Sequence, residues 1–193
     1  MLFNKASASY KRIQEVLAIH PHIHDGSGNT NFQKENLISF DHVTFAYQGA
    51  QALKDLNFKI LKGETIGIIG GTGSGKSTLV HLIPRFYDVT QGQILIKGNP
   101  IQDYPLKGLR EMIGIVPQQA VLFTGTIREN IQWGKKDASD SEIKEALRIA
   151  QATFVDELDE GLDSMIHQGG KNLSGGQRQR LTIARALVKK PEI

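Results

Sequence analysis

Cysteine is absent from the 193-residue chain, which excludes disulfides and thiolate metal sites. Long hydrophobic runs are absent too. No stretch approaches the ~18 apolar residues that a membrane-spanning helix needs, so a membrane link is expected only through a partner or through residues outside this sequence. There is no large charge excess: 23 basic against 20 acidic residues leave a net charge of +3. With no long Lys/Arg run, nothing points to nucleic acid as a partner. Met1-Leu2-Phe3-Asn4-Lys5 opens the chain without an apolar stretch behind it, unlike a signal peptide. What remains is ordinary globular composition, 39% hydrophobic and 22% charged, at a length that suits one domain plus an arm.

Ala6, Tyr10, Ile13 and Leu17, with Val16 beside them, recur at helical spacing, so residues 1–19 read as an amphipathic helix that Pro21 ends. Asp25 to Asn36 is polar and rich in Gly, Ser and Asn, and reads as a linker. The globular part starts near Leu37. Ile38, Phe40, Val43, Phe45 and Tyr47 are strand-like, with Asp41-His42 breaking the alternation. Gln48-Gly49-Ala50 is a turn, and Leu56, Phe58 and Ile60 complete an antiparallel pair. Thr65 to Ile69 is a nearly continuous apolar run, as in a strand buried on both faces. Gln93 to Lys97 and Ile113 to Val116 are further expected strands. From Thr126 the pattern turns helical: Ser139 with Glu142 fits a capping box, Ile143, Ala146, Leu147 and Ala150 share a face, and a last helix spans about 175–189.

Gly70-Gly71-Thr72-Gly73-Ser74-Gly75-Lys76-Ser77 matches G-x-x-x-x-G-K-[ST], with an apolar run before it and a helix, opening with Thr78, behind it. Glycines let backbone N–H groups turn inward to cradle phosphate oxygens. The loop feeds a helix N-terminus, whose free N–H groups and dipole favour anions. On this chemistry Lys76 reaches the β- and γ-phosphates of a nucleotide and the Ser77 hydroxyl ligates Mg2+. A P-loop alone does not separate kinases, GTPases and motor ATPases.

Leu173-Ser174-Gly175-Gly176-Gln177 precedes Arg178-Gln179-Arg180 and an apolar helix. In its plainest reading Ser174 is an N-cap and Gln177 closes a capping box. Glycine is a poor helix former, however, and makes better sense where backbone approaches a ligand. The segment resembles the signature motif of ABC ATPases. That resemblance implies a head-to-tail dimer in which Ser174, Gly175, Gly176 and Gln177 of one domain meet the ATP on the P-loop of the other. It also implies that Tyr47, ending Val43-Thr44-Phe45-Ala46-Tyr47, stacks on adenine. Gln118, in Ile115-Val116-Pro117-Gln118-Gln119, is then the Q-loop glutamine, which contacts Mg2+ and the attacking water and senses a transmembrane partner. Leu122 to Asn130 follows the exporter pattern. Ala6-Ser7-Ala8-Ser9 leading to Arg12–Leu17 resembles the stretch joining the last transmembrane helix of an exporter to its ATPase domain.

Two departures qualify the likeness. Exporters often carry two acidic residues just before the signature; here Ser164-Met165-Ile166-His167-Gln168-Gly169-Gly170 has neither, which looks like one half of a bacterial heterodimeric drug exporter. Family members also continue past Ile193 into a strand bearing an Asp for Mg2+ and a Glu for the water, then a switch His, so the chain is expected to be incomplete there and inactive alone. His20, His22 and His24 alternate, but with no carboxylate or Cys completing a set they read as a solvated junction rather than a metal site.

The expected fold is α/β: a P-loop sheet core, an N-terminal antiparallel β subdomain and a helical subdomain over about 105–182. Residues 1–36 form the arm and linker, and 37–193 the ATP-binding domain. The expected activity is ATP hydrolysis coupled to export of a drug- or lipid-like substrate, at the cytoplasmic face of a membrane, with ATP and Mg2+ as ligands. The expected partners are transmembrane domains and a second ATP-binding domain. A soluble ABC ATPase and a regulatory ATP-binding module are the alternatives.

Overall fold

Apolar residues alternating from Ile38 to Phe45 and from Leu53 to Ile60 do fold as paired strands. In the computed structural model, which describes residues 2–28 and 36–193, the chain divides into two compact units, Met1–Leu106 and Lys107–Ile193. The whole is α/β, with most strand in the first unit and most helix in the second.

The first unit opens with α1 (Leu2–Leu17), whose apolar residues Tyr10, Ile13, Val16 and Leu17 are all exposed. Of the expected linker, residues 29–35 lie outside the described residues. The part before them is tied down. Gly26 N–H donates to the Tyr104 carbonyl at 3.2 Å and Gly28 N–H to that of Asp103 at 3.1 Å. A Cβ on Gly26 would collide with the Asp103 backbone, which only glycine avoids. Arg85, 5% exposed, donates to the His24 carbonyl at 2.9 Å and forms a fork on Asp88 at 2.6 and 3.2 Å.

Strands β1 (Asn36–Tyr47), β2 (Ala50–Leu61), β3 (Gln91–Ile96) and β4 (Asn99–Pro100) form an antiparallel sheet in the order β2-β1-β3-β4. Phe40 faces Phe58 across β1 and β2, with ring centroids 4.5 Å apart. The interruption at Asp41-His42 is a β-bulge: the register moves from Phe40–Phe58 to Val43–Leu56, and His42 takes φ 49°. At the hairpin turn both Gln48 (φ 44°) and Gly49 (φ 89°) have positive φ, the form that matches strand twist. The helix α2 (Lys76–Leu82) lies against β2 and buries Thr78 and Leu82. Leu82, Ile94, Ile96 and Ile101 are fully buried, each contributing roughly 1.5–3 kcal/mol.

The second unit contains α3 (Leu106–Glu111) from its second residue on, and then β5 (Gly125–Thr126), α4 (Ile127–Gln132), α5 (Asp140–Ile149), β6 (Met165–Ile166) and α6 (Gly175–Leu187). β5 and β6 pair antiparallel. Ile127 and Ile131, Ile143 and Leu147, and Leu181 and Ala184 bring α4, α5 and α6 around one core. Each of these three helices starts on a capping box: Thr126 with Glu129, Ser139 with Glu142, and Ser174 with Gln177. Arg128 ties the layer together, pairing with Asp140 and, at 2.9 Å, with Asp163.

Two expected strands are not strands. Residues 65–69 enter no ladder among the described residues, and Ile66, Ile68 and Ile69 are exposed, Ile69 at 98%. An apolar run becomes a buried parallel strand only where neighbours take up its N–H and C=O groups. Ile113 to Val116 likewise forms no assigned strand. Its start is paired, though: Gly114 N–H donates to the Ile193 carbonyl at 2.7 Å and Glu192 N–H to that of Met112 at 2.8 Å.

Candidate functional site

The predicted residues fall into two groups, one in each unit. In the first, the loop from Gly70 to Gly75 runs straight into α2. Gly73 and Gly75 adopt φ 80° and 86°. At Gly75 a side chain is excluded twice over, by that backbone and by the Ala52 carbonyl and Leu53 Cδ2, each 2.7 Å from where a Cβ would stand. Gly75 is also the N-cap of α2 and offers no side-chain acceptor to the first helical N–H groups. The Lys76 Nζ folds over the loop, donating to the carbonyls of Gly70 at 2.8 Å and Gly71 at 2.7 Å and to Ser74 Oγ at 3.3 Å. Thr72 lies in the loop between Gly71 and Gly73, and Ser77 follows Lys76 in the first turn of the helix.

Tyr47 ends β1 beside the same helix. Its hydroxyl donates to Thr78 Oγ1 at 3.4 Å, and its ring is exposed. Phe45 and Tyr87 hold that ring edge-on, with centroids at 4.7 and 5.1 Å and interplanar angles of 88°. Sequence reasoning missed Tyr87. Its only signal was a Phe-Tyr pair just after the P-loop helix, which no periodicity ties to Tyr47.

In the second unit, Gln118 is exposed in the loop that follows residues 113–116. Ser174 caps α6: its Oγ accepts from Gln177 N–H at 3.2 Å, and Gln177 Oε1 accepts from Ser174 N–H at 2.8 Å. Arg178 braces the turn before the cap, donating to the carbonyls of Leu173 at 2.7 Å and Gly170 at 3.3 Å. The acid-free segment forms a 3-10 turn at Gln168–Gly170, where Gly169 and Gly170 take φ 66° and 68°.

Gly175 and Gly176 stand at the start of α6 for no internal reason. Neither has a positive φ, and a Cβ would meet nothing within 4 Å at Gly176 and only the tip of Arg178, at 4.0 Å, at Gly175. Glycine in a helix costs up to about 1 kcal/mol relative to Ala. Its use where the chain itself leaves room points to close approach from outside.

Electrostatically the second unit is knitted by half-buried and exposed ion pairs. The Lys135 ammonium and the Ser139 backbone hold Glu142 down to about 2. The Arg128 guanidinium lowers Asp163. Burial lowers both Arg185 and Lys189. Among the described residues no group of three or more His, Asp or Glu stands together to hold a metal ion.

Comparison with known proteins bears on both groups. The family profile described as ABC transporter matches residues 53–193. An uncharacterized ABC transporter ATP-binding protein of Bacillus subtilis, YfiB, is 47% identical over the whole chain, which covers 34% of that protein. A putative multidrug export ATP-binding/permease protein of Staphylococcus aureus is 48% identical over 83% of the chain and 28% of its own length. A solved structure, described as a bacterial Atm1-family ABC exporter with ATP bound, superposes with a TM-score of 0.89 at 36% identity, over 97% of this chain and 33% of that one. The chain thus spans about a third of the length of the proteins it matches.

Proposed function

Because the chain belongs to the ABC transporter family, we propose that it is the ATP-binding unit of an exporter, working at the cytoplasmic face of a membrane as one of a head-to-tail pair. The carrying observation is the convergence of Tyr47, Thr78 and the Gly70–Ser77 loop in one unit: an exposed aromatic ring fixed beside the helix that the phosphate loop feeds.

The residues fit a nucleoside triphosphate. The glycine loop leaves its backbone open where side chains would intrude, and Lys76 already bridges oxygen atoms across it. In the proposed complex Tyr47 stacks on the base, while the loop amides and Lys76 hold the phosphates. Ser77 and Gln118 are the proposed holders of Mg2+, which neutralises charge on the phosphate oxygens when bound. Gln118 also orients the attacking water for in-line displacement at the γ-phosphate.

Ser174, Gly175, Gly176 and Gln177 serve the triphosphate of the other domain. The two glycines supply bare backbone at a helix N-terminus, where an anion is favoured. Closure of the two domains on ATP then drives attached transmembrane domains to export a substrate. The names of the relatives favour a drug-like substrate. The acid-free stretch Ser164–Gly170 favours a pair of unlike halves.

Calorimetric titration with MgATP tests the reading. The parent chain is expected to bind weakly, and Lys76→Ala at least tenfold more weakly still at unchanged helix content. Equal binding by both, or none by the parent, would sink the assignment.

A further inference from the structure

The last turn of α6 carries a cation that the nucleotide reading does not use. Arg185 is partly buried, and burial pushes its pKa below the usual guanidinium value. Its three nitrogens are all engaged. Nε donates to the Asn130 carbonyl at 2.8 Å, Nη2 to Asn130 Oδ1 at 2.9 Å and Nη1 to the Val121 carbonyl at 2.9 Å. The guanidinium carbon stands 5.5 Å from the centroid of the Phe123 ring.

Asn130, 1% exposed, completes the arrangement. Its Oδ1 accepts from Phe123 N–H and its Nδ2 donates to the Phe123 carbonyl, both at 2.9 Å. The Phe123 ring then stacks on Trp133, with centroids 4.8 Å apart and planes at 28°. Both rings are at the surface, Phe123 44% and Trp133 69% exposed. With Glu129, Gln132 and Lys136 they line an open cavity of about 620 Å³.

Residues 121–123 belong to no helix or strand, so Arg185 and Asn130 supply the hydrogen bonds that orient them. A planar fork of fixed donors suits that task. A lysine, a single point charge on a flexible stem, cannot bond three acceptors in two segments with the same geometry. Mere filling of space would be served as well by an apolar side chain.

We propose that Arg185 is a positioning residue: it fastens the 121–123 loop and Asn130 to α6, so that the exposed Phe123–Trp133 pair moves with that helix as one body. Where Ser174 contacts a γ-phosphate, as the reading above has it, displacement of the start of α6 reaches the aromatic pair directly.

Trp133 is the only tryptophan of the chain, so intrinsic fluorescence reports the pair. Arg185→Lys and Arg185→Ala are compared with the parent and with Arg180→Lys, an exposed position on the same helix. The expected result is emission shifted to longer wavelength and increased acrylamide quenching in both Arg185 variants, at parental helix content, with Arg180→Lys unchanged. Parental emission and quenching in a folded Arg185→Lys chain overturns the proposal, as does an equal change in Arg180→Lys. Should neither Arg185 variant fold, NMR of the parent decides. Cross-relaxation between Arg185 Hε and the Phe123 ring, with slow exchange of that Nε–H, supports the fastening; absence of both refutes it. No nucleotide is added, so failure of the ATP reading would leave each of these outcomes intact.

Discussion

The Tyr47 hydroxyl lies 3.4 Å from Thr78 Oγ1, which joins the end of β1 to the helix that follows the phosphate loop. The contact fixes an exposed aromatic ring beside the third residue of that helix.

Tyr47→Ala is therefore expected to weaken ATP binding by about 1–3 kcal/mol, the worth of one base–aromatic stack. Tyr47→Phe keeps the ring and loses only the bond to Thr78, so its affinity stays within about threefold of the parent. Titration with ATP and with inorganic triphosphate separates the two contributions. The loss in Tyr47→Ala appears with ATP and not with triphosphate; a loss with both ligands would place the ring elsewhere.

Gly176→Ala is expected to act in opposite directions on stability and function. Nothing within 4 Å opposes a Cβ there, and Ala is the better helix former. The thermal midpoint of the isolated chain should hold or rise, by up to about 1 kcal/mol of stability. ATP-dependent pairing, with itself or with an unlike ATP-binding half, followed by sedimentation, should weaken. A variant that pairs on ATP as the parent does shows that nothing approaches this glycine.

Asn130→Ala removes a buried side chain that serves Phe123, Thr126 and Arg185. Leaving those part-buried groups without partners is expected to cost about 1–3 kcal/mol in urea unfolding. A cost below about 1 kcal/mol would mean that water replaces the amide without loss.

Acid should release one tie between α5 and the segment before it. Glu142 is held to about 2, from an ordinary value of 4.5, by Lys135 and the Ser139 backbone. A carboxylate depressed on folding stabilises above its unfolded value, and that stability is lost as pH falls from about 4.5 towards 2. In Glu142→Gln the thermal midpoint is expected to fall less steeply across that window. Parallel curves for parent and variant would remove Glu142 from the acid transition.

What was legible in the sequence was what neighbours along the chain decide. The capping boxes at Ser139 and Ser174 close over three residues, and the Gln48-Gly49 turn needs only its own two positive φ angles. The phosphate loop is local in the same sense. Thr65 to Ile69 misled because an apolar run states a wish for neighbours and cannot supply them. Tyr87 and Arg185 escaped for a related reason. Arg185 finds its acceptors 55 and 64 residues away, and no spacing rule reaches so far.

The grip of Arg85 on the His24 carbonyl has a mechanical meaning. Arg85 follows closely after the end of α2. A pull on the chain ahead of His24 would meet this bond, just past the end of α2, before it reached β1. The chain ahead of β1 is made fast beside the helix that the glycine loop feeds, as a tow rope is made fast to the axle and not to the bodywork.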